Sequence, residues 1–170
     1  MTLFLHTELL SLRPCQLSNL DALYQLWTQG DIKRFLFDDR PITLDEARSW
    51  IASSTICFTR HGYGIWLFFE HQSDQIAGFS GLLWASQKPP NLVFGTRPQL
   101  WGRGHVREAT SAVLRYGLDV LDLEKVVADV DAPNNASIQV LEALGMSRTG
   151  GAIVNQHPLF YYETQSRINR

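Results

Sequence analysis

Cysteine, lysine and long apolar stretches are all scarce in this chain, and each scarcity removes a class of function. Cys15 and Cys57 are the two cysteines in 170 residues. They form no C-x-x-C pair and join no histidine cluster, so a disulfide framework and a structural zinc site are both unexpected, and no metal is assigned. Three of the fifteen basic residues are lysine (Lys33, Lys88, Lys125) and the formal net charge is −2, which leaves no basic footprint for nucleic acid. No window holds about 18 uncharged apolar residues, and Met1-Thr2-Leu3-Phe4-Leu5-His6 has no basic segment followed by a long apolar core. Neither export nor a membrane span is expected, and a reducing cytoplasm is the default. With 45% hydrophobic and 19% charged residues, the composition is globular, and the length suits one domain over 1–170.

What is present reads as alternating helices and strands. Leu9 to Arg13 suggests a strand, and Ser18 then caps an apolar stripe of Leu20, Leu23, Tyr24 and Trp27, closed by Gly30. Thr43-Leu44-Asp45-Glu46 is a capping-box pattern that opens a second helix through Ala47, Trp50 and Ile51. Ile65 to Glu70 and Ile76 to Trp84 are apolar runs separated by Ser73-Asp74, a hairpin signal, and Lys88-Pro89-Pro90 is expected to break the chain before a strand over Leu92 to Arg97. A helix from about Arg103 to Leu121 and a strand over Val126 to Val130 complete one βαβ unit, whose two strands must run parallel. Asn134 or Asn135 caps a short helix stopped by Gly145, and Ala152–Asn155 with Leu159–Thr164 suggest a closing hairpin. The fold class is therefore α/β: a mixed, mostly antiparallel sheet flanked by helices, with one parallel βαβ crossover.

Two turns carry the chemistry. Gln99-Leu100-Trp101-Gly102-Arg103-Gly104 passes from a strand through glycines into an amphipathic helix. Backbone N–H groups at that helix start are left unpaired with the positive end of the helix dipole behind them, which is a cradle for phosphate. Arg103 adds a charge and Trp101 a flat wall, although the same glycines also serve an ordinary tight turn. The dinucleotide fingerprint fails because Arg107 occupies its third glycine position, and the nucleoside-triphosphate loop fails because no Gly-Lys-Ser/Thr follows. His105 reads as a polar surface group and Glu108 as a complement to the helix dipole. The second turn, Asp131-Ala132-Pro133-Asn134-Asn135-Ala136-Ser137, leads from the next strand into the helix that ends Leu144-Gly145-Met146.

The joint pattern resembles the GCN5-related N-acetyltransferase superfamily. Within it, Trp101-Gly102-Arg103-Gly104 followed about 30 residues later by Asn134-x-x-Ser137 looks like the branch that acetylates ribosomal-protein N-termini. Leu10-Ser11-Leu12-Arg13-Pro14, Pro41 to Ala47 and Ile76-Ala77-Gly78 extend the likeness over nearly the whole chain. The resemblance implies that acetyl-CoA lies between two splayed central strands, Leu92 to Arg97 and Val126 to Val130. It implies further that Trp101, Gly102, Arg103, Gly104, His105 and Val106 hold pyrophosphate through backbone N–H groups. By the same likeness, the backbone of Phe94, Gly95 and Thr96 meets the pantetheine arm and the thioester, with Thr96 as oxyanion donor, while Asn134 binds the cofactor arm.

The chain departs from the superfamily where proton transfer is concerned. Leu141 stands where many members have a tyrosine acid, which leaves Ser137 as the candidate donor to the departing thiol; its alternative role is bonding at the helix start. Asn91 and Val93 stand where relatives carry Glu and Gly, so no base is evident. Asp38 and Asp39 are candidates to attract a cationic amine, and Trp66, Trp84 and Arg97 to line the acceptor side, although tryptophans at these spacings also suit a core. The expected reaction is acetyl transfer from acetyl-CoA to a primary amine, either a protein N-terminus or a small molecule, by a monomer or homodimer. A binding module that holds acyl-CoA without turnover is the alternative, and a domain using the turn for another nucleotide is a third.

Overall fold

The computed structural model describes residues 3–37 and 40–165. Strands β1 (Leu5–His6), β2 (Leu10–Pro14), β3 (Ile65–Glu70) and β4 (Gly78–Ala85) are followed by β5 (Lys88–Thr96), β6 (Val127–Asp131), β7 (Ser147–Val154) and β8 (His157–Glu163). They form one sheet in the order β1-β2-β3-β4-β5-β6-β8-β7. β5 and β6 run parallel, and every other neighbouring pair is antiparallel. The expected mixed sheet with a single crossover is what the chain adopts.

Side-chain alternation splits the core between the two faces. Ile65, Leu67 and Phe69 of β3 and Phe79 of β4 pack with Leu23, Trp27 and Ile51 from the helical layer formed by α1 (Leu20–Trp27), α2 (Gly30–Leu36) and α3 (Leu44–His61), and with Ile42 just before α3. Leu10, Leu12, Trp66, Phe68, Leu82 and Leu92 turn the other way. They meet Ala109 and Val113 of α4 (His105–Arg115), in a cluster that includes Leu141 of α5 (Asn135–Ala143). This alternation explains why β3 reads as an unbroken apolar run: both of its faces are covered.

Local chemistry sets several boundaries differently from the expected ones. Ser18 is not a helix cap. A 3₁₀ turn over Leu17–Asn19 precedes α1, with Asn19 Oδ1 accepting from the Gln16 N–H at 2.8 Å. Gly30 does not close α1 but opens α2; the Thr28 hydroxyl ends α1 by donating to the Tyr24 carbonyl at 2.9 Å. Thr43 caps α3 as expected, accepting from the Glu46 N–H at 3.0 Å, while the Glu46 carboxylate pairs with Arg40. Lys88-Pro89-Pro90 does not break the chain but belongs to β5, because the register passes from Leu83↔Asn91 to Ala85↔Lys88. The two prolines therefore oppose Trp84 at a bulge, where no ladder N–H is required of them. The helix expected over Arg103–Leu121 is α4 followed by a π-helical turn at Tyr116–Val120, with the Leu121 N–H donating to the Tyr116 carbonyl. No described helix is long and apolar enough to cross a membrane.

Candidate active site

The parallel pair β5–β6 is the point from which the site is built. Its register holds a single pairing, Asn91↔Val127, although each strand continues for several more residues. Beyond that pair the two strands part, which makes a slit in the middle of the sheet. The Arg97 N–H donates to the Ala77 carbonyl on the β4 side at 2.8 Å. Peptide groups alternate sides along an antiparallel strand, so those of Gly95 and Val93 also face β4, whereas those of Leu92, Phe94 and Thr96 face the slit. Of the three residues expected to meet a pantetheine arm, Phe94 and Thr96 thus offer their backbone, and Gly95 contributes only its lack of a side chain. A Cβ at Gly95 would lie 2.8 Å from the Phe79 ring.

The glycine turn closes the C-terminal end of β5. Gly102 and Gly104 have φ of +80° and +76°, and a Cβ on either would meet nothing within 4 Å. Glycine is required here for backbone conformation alone, with open space beside it. The first helical bond of α4 runs from the Glu108 N–H to the Gly104 carbonyl, and Gly104 provides no side-chain cap. Among the described residues, no protein acceptor serves the N–H groups of Gly102, Arg103, Gly104, His105 and Val106. Trp101 differs from them: its N–H donates to the Pro98 carbonyl within a 3₁₀ turn, and its indole N–H reaches back to the Thr96 carbonyl at 2.8 Å. The tryptophan thereby ties the turn to the end of β5.

His105 is not the surface group the sequence suggested. It is 6% exposed, with Nε2 3.4 Å from Glu70 Oε2, too poorly aligned for a hydrogen bond. The contact joins the start of α4 to the end of β3. Glu108, in the first turn of α4, accepts from the Thr7 hydroxyl at 2.9 Å, which adds a tie to the connection between β1 and β2 alongside its favourable dipole position.

α5 begins at the corresponding end of β6, so two helix N-termini flank the mouth of the slit. Asn134 is its N-cap, and Oδ1 accepts from the Ser137 N–H at 3.2 Å. That bond leaves the Asn134 amide NH2 and the Ser137 hydroxyl without a protein partner among the described residues. Asn134 therefore makes the bond at the helix start, and the Ser137 hydroxyl remains available for chemistry. Leu141 is 1% exposed and serves the core.

The expected acceptor-side residues disperse. Trp66 is wholly buried, packed edge-on against Phe58 and Tyr116, with its indole N–H donating to the Leu3 carbonyl at 2.7 Å. This corrects the acceptor-side reading, because β3 is interior and both of its neighbours are paired. Trp84 is exposed and stacks on His61 at the far end of β4 from Gly78, the partner of Thr96. Arg97 directly follows Thr96 and keeps a buried Nε without a partner. Asp38 and Asp39 lie outside the described residues.

Comparison with known proteins agrees with this geometry. The family described as acetyltransferase (GNAT) domain matches residues 10–147. N-acetyltransferase p20 of Bacillus licheniformis is 26% identical over 149 residues, covering 86% of this chain and 83% of that protein. An acetyltransferase from Agrobacterium tumefaciens superposes with a TM-score of 0.82 at 20% identity, over 96% of this chain and 94% of its own. RimL, a ribosomal L7/L12 alpha-N-protein acetyltransferase solved in complex with coenzyme A, gives a TM-score of 0.79 at 19% identity, over 94% and 96%.

Proposed function

Because the chain belongs to the acetyltransferase (GNAT) family and is an acetyl-CoA-dependent N-acetyltransferase, we propose that it transfers the acetyl group by direct attack of a primary amine in a ternary complex. The observation that carries this reading is the slit between β5 and β6, with the Phe94 and Thr96 peptide groups turned into it and five unpaired N–H groups at its mouth. The donor set fits acetyl-CoA: dipoles and N–H groups at an uncapped helix start suit pyrophosphate, and an open strand edge suits the amides of a pantetheine arm. Bound there, acetyl-CoA supplies an acetyl group already activated as a thioester.

The residues of this chain then have separable tasks. The N–H groups from Gly102 to Val106 hold the pyrophosphate, and the Asn134 amide donates to the cofactor arm. The Thr96 N–H donates to the carbonyl oxygen as negative charge develops there, a contribution typically of about 3 to 4 kcal/mol for a fixed donor. Ser137 gives its proton, directly or through a water, to the departing sulfur. A thiol has a reference pKa of about 8.5, so its thiolate leaves readily and needs modest acid assistance. The acceptor is a protein N-terminus, as for RimL, or a small amine.

Thermal stability measured with acetyl-CoA, CoA, NAD and ATP tests the cofactor half. A ligand at about 100 times its dissociation constant adds roughly 2.7 kcal/mol, so acetyl-CoA should raise the melting temperature by about 5 to 10 °C. No response from folded protein would overturn the phosphate-turn assignment. Ser137→Ala tests the acid: because the hydroxyl bonds to no protein group, stability should hold, acetyl-CoA affinity should stay unchanged, and kcat should fall roughly tenfold or more. Unchanged kcat would remove Ser137 from the mechanism.

A further inference from the structure

The face of the sheet on which the acceptor arrives is marked by a charge. On the α4–α5 side, β6 and β8 are covered by the packing of Ala128, Val130 and Tyr162 into the core. On the opposite side, the cluster built by α1, α2 and α3 includes strand residues from β3 and β4 and none from β6, β7 or β8. Half of that face is therefore an open floor beginning at the slit. Alternation places Val127, Asp129 and Asp131 of β6 on this floor, and the β6–β8 register puts Tyr161 directly across from Asp129. Asn91, Val93, Gly95 and Arg97 of β5 face the same way on the other side of the slit, because paired residues share a face.

Asp129 is the informative residue. It is exposed while the residues on either side, Ala128 and Val130, are buried. No hydrogen bond or ion pair engages its carboxylate among the described residues. Glu163, on the same floor, is satisfied by Lys125 at 3.2 Å, and Asp131 is buried. At a rise of about 3.3 Å per residue, Asp129 stands about 7 Å above the Asn91↔Val127 pair, one residue short of the level of Phe94. The phosphate turn leads into α4, which packs on the other face, so the acetyl donor and an amine on this floor meet across the slit without obstructing each other.

We propose that Asp129, with the ring of Tyr161 beside it, binds the acceptor as a cationic primary amine on the open face, three residues along the slit from the level of Thr96. A carboxylate and an aromatic face together suit an ammonium group and have no use for a neutral or anionic acceptor. The bound ammonium then sheds one proton to water, and its nitrogen forms the bond to the acetyl carbon as the carbon–sulfur bond breaks. The sulfur leaves with the proton supplied by Ser137, and the new amide nitrogen gives up its second proton, through water, to restore the Ser137 hydroxyl. This assignment rests on the acetyl-transfer reading and names the acceptor side of the same site.

The test is steady-state kinetics of Asp129→Asn and Asp129→Glu at saturating acetyl-CoA, with spermidine and a serine-initiated tripeptide amide as acceptors. Asp129→Asn should raise the acceptor KM about tenfold, Asp129→Glu should recover part of the loss, and the acetyl-CoA dissociation constant should not move. Salt supplies a readout that a structural role would leave unchanged: between 10 mM and 1 M NaCl the wild-type acceptor KM should rise toward the Asp129→Asn value, which should itself stay flat. An acceptor KM within twofold of wild type in Asp129→Asn overturns the inference. So does the absence of CoA release with either amine from wild-type protein that still shows the acetyl-CoA thermal shift, whereas loss of the thermal shift itself sinks the cofactor reading first.

Discussion

Gly104→Val should weaken acetyl-CoA binding by at least about 100-fold while changing the melting temperature of the free protein by only a few degrees. A Cβ at this position meets nothing within 4 Å, so steric crowding contributes no cost. What valine cannot adopt readily is φ of +76°; a β-branched residue in that region is a conformational outlier. The turn is expected to relax toward negative φ and re-aim the N–H groups from Gly102 to Val106. A hydrogen bond to a charged group is worth about 1.5 to 3 kcal/mol, so losing two of them amounts to a factor of 100 or more. Substitutions should therefore rank by backbone tolerance. Gly104→Asn should be mildest because asparagine enters the left-handed region most easily, Gly104→Ala intermediate and Gly104→Val most severe. Calorimetric titration of the three variants with acetyl-CoA checks the order, and three equal affinities would mean that the turn does not hold the phosphates.

The parts of this fold that the sequence made legible are those with local chemical causes. Thr43 accepts from the Glu46 N–H as its spacing suggested, Gly145 follows α5 with φ of +83°, and the alternation of strand and helix through residues 92–131 forced one parallel crossover. Positions that depend on neighbours distant in sequence were not legible. Lys88-Pro89-Pro90 reads as a chain break until the bulge opposite Trp84 is known to excuse both prolines from the ladder. His105 follows a glycine on a polar turn, and only the packing of α4 against the sheet buries it. β8 lies between β6 and β7 because the hairpin turns at Asn155 and Gln156, with φ of +50° and +67°, and returns its second strand to β6. Within the candidate site, the residue types at the two turns pointed to the segments that flank the slit. The separation of Phe94 and Thr96 from Gly95, and the loss of the Trp101 N–H to a 3₁₀ turn, follow from a register that one sequence does not print.

Trp66 supplies the second large effect, and it separates core from site in the opposite sense to Gly104. The side chain is 0% exposed, lies edge-on to Phe58 at 4.7 Å and to Tyr116 at 5.6 Å, and bonds Leu3 through its indole N–H. Truncation to alanine removes the dispersion contacts of a large ring, leaves a cavity beside Phe58 and Tyr116, and strands the Leu3 carbonyl. Large aromatic truncations in cores cost about 3 to 5 kcal/mol. At about 2 to 4 °C per kcal/mol for a chain of this length, Trp66→Ala should lower the melting temperature by about 6 to 20 °C. Trp66→Phe keeps a ring in the cluster and loses the indole N–H, so its drop should be a fraction of that. Because β3 is separated from the slit by β4 and β5, the folded fraction of either variant should retain wild-type KM values for acetyl-CoA and for the amine when assayed well below its melting temperature. A raised acceptor KM with little change in melting temperature would return Trp66 to the acceptor side, against its burial; a large thermal loss with unchanged KM values places it in the core that holds β3 against Phe58 and Tyr116.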